Sequence, residues 1–141
     1  MADLFADSLR AYIPPGDGLL PKWILFVSVT ALFNTVQNFV TTKLSRRLYS
    51  GAPVVTALQA RTFGAWTLMS AVVRAYAAYH IHDKAIYDMT LLSFLIAFGH
   101  FASEILIYRT AKVSAPALSP VFVSTLSLYW MISHYDYYVR A

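Results

Sequence analysis

There is no cysteine in this chain, and charge is scarce. The first absence excludes a disulfide framework, a thiolate metal site and a cysteine nucleophile. The second is the stronger constraint. Only 13% of the residues are Asp, Glu, Lys or Arg, whereas a soluble domain of this size carries roughly 25% to hydrate its surface. Acids are the rarer sign, 7 against 11 Lys and Arg. Glycine-rich phosphate loops and dinucleotide fingerprints are missing, as is any internal repeat or low-complexity stretch. Apolar side chains fill the space instead, 58% of 141 residues. Such a chain is expected to turn its outer surface to lipid.

The apolar residues gather in four runs near the ~20 residues that a bilayer demands of a helix. They cover about 23–41, 62–80, 89–108 and 117–134. The expected fold is therefore all-α, a polytopic membrane protein whose residues 20–138 form a four-transmembrane-helix bundle. Pro116 and Pro120 fall near the start of the fourth run, where proline costs least. Lys22-Trp23 at one end and Tyr129-Trp130 with the tail tyrosines 135, 137 and 138 read as interfacial anchors. Residues 1–19 stand apart. Leu4, Phe5, Leu9, Tyr12 and Ile13 share one helical face, so an N-terminal interfacial helix is expected, ended by Pro14-Pro15 and a Gly-Asp-Gly turn; a frayed terminus is the alternative. Asp3 and Asp7 stand where a cleavable signal peptide would carry basic residues.

The net charge of +4 could suggest nucleic acid, but no basic stripe with interleaved stacking aromatics exists. The cations flank apolar runs instead. Lys43, Arg46 and Arg47 lie in a polar loop, 43–60, broken by Gly51 and Pro53, and Arg109 with Lys112 follows the third run. The loop between the second and third runs is nearly neutral. By the positive-inside rule both basic loops are cytosolic and both termini lie on the other side. The loop at Lys43, Arg46 and Arg47 could also dock a partner or anionic lipid, although a topology anchor is the simpler reading.

A charge within hydrocarbon costs at least ~2.5–3.5 kcal/mol, so each one invites a reason. Arg74 and Glu104 lie inside the second and third runs, and His100 sits one turn before Glu104 on the same face. Thr30, Asn34, Gln37 and Thr41 make a polar stripe on the first, with Asn38 beside it. A buried cluster of Asn34, Gln37, Asn38, Arg74, His100 and Glu104 is expected, with Arg74 and Glu104 reaching for each other across about 12 Å of depth. A metal site at His100 and Glu104 is the sharper alternative, but a metal needs a third and usually a fourth ligand. One intramembrane acid is too few for a proton path. Ser103 points away from His100 and Glu104, so those three make no catalytic triad. Gly64, Thr67, Ala71, Ala75 and Ala78 form a small-residue strip on the second run, and Ala97 with Gly99 thins the third. Such strips pack helices closely, within a chain or between chains.

Four stretches carry a resemblance. LPKWILFVSVTALFNTVQNFV at 20–40, ARTFGAWTLMSAVVRAYAAY at 60–79, FGHFASEILIYRT at 98–110 and VSTLSLYWM at 123–131 resemble, in order, the ergosterol biosynthetic protein 28 family. Trp23, Asn34, Gln37, Arg61, Thr62, Gly64, Trp66, Arg74, His100, Glu104, Arg109 and Thr110 are its family-like positions. The resemblance implies a multi-pass, non-catalytic protein of the endoplasmic reticulum membrane, without cofactor or catalytic residues. It would act as a homodimeric scaffold for the sterol C-4 methyl oxidase, the C-3 dehydrogenase/decarboxylase and the 3-keto reductase. The sterol C-24 methyltransferase is a further expected partner. A module that binds and channels a sterol intermediate is the second reading, and an enzyme using His100 and Glu104 the third.

Overall fold

The apolar runs do become helices. A computed structural model describes residues 1–140, and seven helices follow in order: α1 Ala2–Arg10, α2 Leu20–Val40, α3 Lys43–Leu48, α4 Ala57–Tyr79, α5 Lys84–Leu106, α6 Ala115–Ser133 and α7 Tyr135–Tyr138. Among the described residues the only β-type pairing is an isolated bridge between Asp83 and Arg140. Three helices, α2, α5 and α6, are long and apolar enough to cross a membrane. α4, with 23 residues, is as long but is not among them. Arg61, Arg74 and its many small and hydroxyl residues dilute its apolar character, so the fourth expected span does not meet the same test.

All four long helices begin earlier than their apolar runs, α4 and α5 by the most, and side-chain caps fix those two starts. At α4, Thr56 Oγ1 accepts from the Gln59 N–H while the Gln59 side chain accepts from the Thr56 N–H. This reciprocal cap satisfies two free donors and starts the helix at Ala57. At α5 the Asp83 carboxylate accepts from the Ile86 N–H at 3.0 Å, which starts that helix at Lys84.

Packing follows period-3.5 seams. α2 buries Ile24, Val27, Ser28, Ala31, Thr35 and Asn38, and its main neighbour is α4, which buries Ala60, Gly64, Thr67, Ala71 and Ala78. The small side chains let the two backbones approach until Ser28 Oγ donates across the gap to the Ala71 carbonyl at 2.6 Å. A Cβ on Gly64 would lie 3.1 Å from Asn38 Cβ. Ala75, read with the same strip, is only half-buried, and Gly99 faces outward with nothing within 4 Å. α5 buries Tyr87, Thr90, Phe94, Ala97 and Phe101, and its main neighbour is α6.

Inside and outside are inverted relative to a soluble bundle. Ser28, Thr35, Asn38, Thr67, Ser70, Arg74, Thr90, Ser124 and Ser127 are buried, whereas Phe33, Met69, Leu92, Ile96, Phe122 and Ile132 are exposed. Polar groups satisfied internally and apolar groups turned outward suit a hydrocarbon solvent.

The 43–60 segment is not all loop: residues 43–48 form α3, which buries Ser45 and Leu48 and leaves Lys43, Arg46 and Arg47 exposed. Its end is locked to the α5–α6 connection by the Gly51 N–H donating to the Thr110 carbonyl at 2.8 Å. Any side chain at Gly51 would collide with the Arg109 carbonyl. Both basic connections thus share one end of the bundle. At the other end, Tyr79 donates to the Tyr12 carbonyl at 2.5 Å, and Asp17 pairs with Arg140 at 3.7 Å. α1 buries none of its residues.

Candidate functional site

The polar residues singled out on the sequence divide among three separate places. The first ties α3 to α2. Asn38, almost fully buried, donates from Nδ2 to the Asn34 carbonyl at 2.9 Å and accepts from Ser45 Oγ at 2.6 Å. Both ends of the amide are satisfied, as burial requires. Gln37 is half-buried and, among the described residues, its side chain has no hydrogen bond.

The second lies at the basic end, where α5 meets the α3–α4 connection. His100 Nε2 is 2.7 Å from the Tyr49 hydroxyl. Burial, with the charge of Glu104 as a smaller cause, raises the Tyr49 hydroxyl above its ordinary value. Tyr49 therefore keeps its proton. Trp66 and Phe101 flank the ring, with centroids 5.6 and 5.0 Å away. Glu104 accepts from the Thr110 hydroxyl, and its carbonyl accepts from the Ala111 N–H at 3.2 Å. Beside this group a cleft of about 640 Å³ runs between α4, α5 and the α3–α4 connection, with Val54, Leu58 and Ile96 on its walls.

The third surrounds Arg74, which is buried on α4 and only 7% exposed. Its Nε donates to Ser93 Oγ at 3.3 Å, one terminal nitrogen reaches the Ser93 carbonyl at 3.5 Å, and the guanidinium stands 4.1 Å over the Phe94 ring. The expected Arg74–Glu104 pair is not formed. Glu104 lies three turns further along α5, about 16 Å along the helix from Ser93, where the Arg74 side chain ends. Among the described residues the ion pairs are Asp7–Arg10, Lys84–Asp88 and Asp17–Arg140, all on exposed side chains. A second cavity, about 610 Å³, opens from Arg74 between α2, α4, α5 and α6.

Sequence reasoning missed Tyr49, Ser45 and Ser93, the partners of His100, Asn38 and Arg74. They are remote in sequence or short and unremarkable in type, and no spacing rule joins them. Among the described residues no three His, Asp or Glu side chains gather as a metal site would require.

A model of the family described as "Erg28 like protein" matches residues 20–129. Ergosterol biosynthetic protein 28 of Schizosaccharomyces pombe is 50% identical over 125 residues, covering 89% of this chain and 90% of the relative. The protein of that name in Saccharomyces cerevisiae is 42% identical, covering 86% and 83%. The Homo sapiens homolog is 45% identical, covering 81% and 83%. No solved structure matches the chain. With the family model matching most of its length, this chain belongs to the Erg28 family of proteins involved in ergosterol biosynthesis.

Proposed function

We propose that this protein is a non-catalytic scaffold of the endoplasmic reticulum membrane that gathers the enzymes of sterol C-4 demethylation. Its partners in this reading are the C-4 methyl oxidase, the C-3 dehydrogenase/decarboxylase and the 3-keto reductase, with the sterol C-24 methyltransferase as a further one. All four long helices cross the bilayer, α1 lies in the interface, and two copies associate. The basic connections face the cytosol.

The family match carries this reading. The local chemistry agrees, because the side chains best suited to acid–base work are engaged within the chain: His100 with Tyr49 and Glu104 with Thr110. A scaffold also needs outer helix faces that other membrane helices can recognise. Here α4 offers Met69, Val72 and Tyr76 outward, and α5 offers Leu92, Ile96 and the bare backbone at Gly99. Holding sequential enzymes together raises the effective concentration of a poorly soluble intermediate at the next site.

Affinity purification of the tagged protein in mild detergent tests the proposal. The three demethylation enzymes are expected to come along in near-equal amounts. Recovery of none of them, from membranes that contain all three, would overturn it. The second reading, a sterol-holding module, draws on the 640 Å³ cleft, whose apolar walls end at the Tyr49, His100 and Glu104 polar groups. That volume suits a small lipid. Saturable binding of radiolabelled sterol, lost on filling the cleft by Ile96→Trp, would favour it.

A further inference from the structure

Arg74 poses a question that neither reading answers. A guanidinium buried between membrane helices is normally matched by a carboxylate or a backbone carbonyl. Among the described residues Arg74 has only Ser93, whose hydroxyl and backbone carbonyl both lie at the long end of hydrogen-bond distance, and one phenyl ring, but no carboxylate. It does have space. The 610 Å³ cavity that it lines runs towards the basic end, where Arg47 stands at the mouth. Among the described residues no Asp or Glu lines that cavity, and the two charged side chains that do are both positive.

The walls between the two arginines are of two kinds. Phe63, Trp66 and Phe94 supply broad apolar faces, while the side chains of Asn34 and Ser70 supply polar atoms that make no hydrogen bond among the described residues. Phe26 and Thr30 on α2 and Ser119 on α6 are lining residues that are also exposed. α2 and α6 touch only sparingly, so the cavity opens sideways between them towards lipid. From Arg74 to Phe63 along α4 the distance is about 16 Å, which is long enough for a lipid-sized body lying along the helices.

We infer that this cavity is a binding site for a lipid acid, an apolar ring or acyl body whose carboxylate pairs with Arg74. The apolar wall holds the body, and the anion supplies the charge that the protein itself omits. Arg is suited to this role, because its planar fork grips a carboxylate with two parallel hydrogen bonds. Entry from the bilayer through the α2–α6 opening spares the ligand a passage through water. The demethylation reading would itself generate such an acid, since a methyl carbon oxidised by one enzyme and lost through a decarboxylase passes through a carboxyl group. The inference goes beyond that reading and does not need it.

Full-length protein in phosphatidylcholine nanodiscs provides the test. Cholesteryl hemisuccinate represents a ring-bodied acid and oleate an acyl acid, with cholesteryl acetate and methyl oleate as their uncharged counterparts. At least one acid should bind saturably and at least tenfold more tightly than its uncharged counterpart, and whichever acid binds identifies the body. Arg74→Lys should keep the preference for acid, and Arg74→Gln should abolish it. Where Arg74→Gln does not fold, the acid-against-ester comparison on the unaltered protein decides alone. Equal binding of acid and ester, binding of neither acid, or an acid preference that survives in folded Arg74→Gln protein overturns the inference. Co-purification of the enzymes is a separate readout, so failure here leaves the scaffold proposal to its own test.

Discussion

A guanidinium inside a helix bundle is costly to desolvate, and Arg74 and Glu104 would be natural partners if depth allowed. Depth does not allow it. Arg74 is held at the level of Ser93, while Glu104 is drawn to the basic end by Thr110. Their energetic effects should therefore be independent. For Arg74→Met and Glu104→Gln, alone and together, losses of stability in detergent are expected to add within ~0.3–0.5 kcal/mol. Tyr49→Phe and His100→Ala should behave differently, because their side chains meet at 2.7 Å. A coupling of ~0.6 kcal/mol, the average for hydrogen bonds between membrane helices, and at most ~1.7 kcal/mol is expected in that cycle. Thermal melts of the two quartets check both statements; strong coupling in the first or none in the second would contradict the assigned contacts.

Between elements, the α2–α4 contact is the tightest, and Gly64 is where it is most sensitive. A leucine there would meet Asn38 Cβ and the Phe39 ring, which stand 3.1 and 3.2 Å from a bare Cβ. Gly64→Leu should cost about 1–3 kcal/mol through overpacking. Gly99→Ala is the matched control: its outward face is empty, so the substitution should leave stability unchanged or raise it by up to ~1 kcal/mol through helix propensity. Melting temperatures of the two variants in one detergent give the comparison.

The same contact marks what could be read from the amino acids alone. The recurrence of small residues at 64, 67, 71 and 78 is a local pattern, so the close-packed face was legible. The starts of α4 and α5 were not, because capping by Thr56, Gln59 and Asp83 extends each helix beyond its apolar run. α3 escaped notice because six residues rich in Lys and Arg show no apolar period; only the burial of Ser45 and Leu48 against the bundle makes that segment a helix. The pairing of Arg74 failed for a related reason. Depths measured from apolar midpoints shifted once the true helix ends were in place.

The whole molecule is arranged inside out, with hydroxyl, amide and guanidinium groups enclosed, large apolar groups turned outward, and both basic connections at one end. That arrangement also requires α4, the least apolar of the long helices, to cross alongside α2, its main neighbour. Because the chain has no cysteine, single cysteines can be introduced without background. The most direct measurement is labelling of such variants in sealed endoplasmic reticulum vesicles with a membrane-impermeant maleimide, before and after permeabilisation. Cysteines at Lys43, Ser50 and Lys112 should react from the cytosolic side, those at Asp83 and Asp136 only after permeabilisation, and those at Phe33, Ile96 and Phe122 in neither case. Reaction of the Ser50 and Asp83 positions from the same side would mean that α4 does not cross, and the account would be wrong.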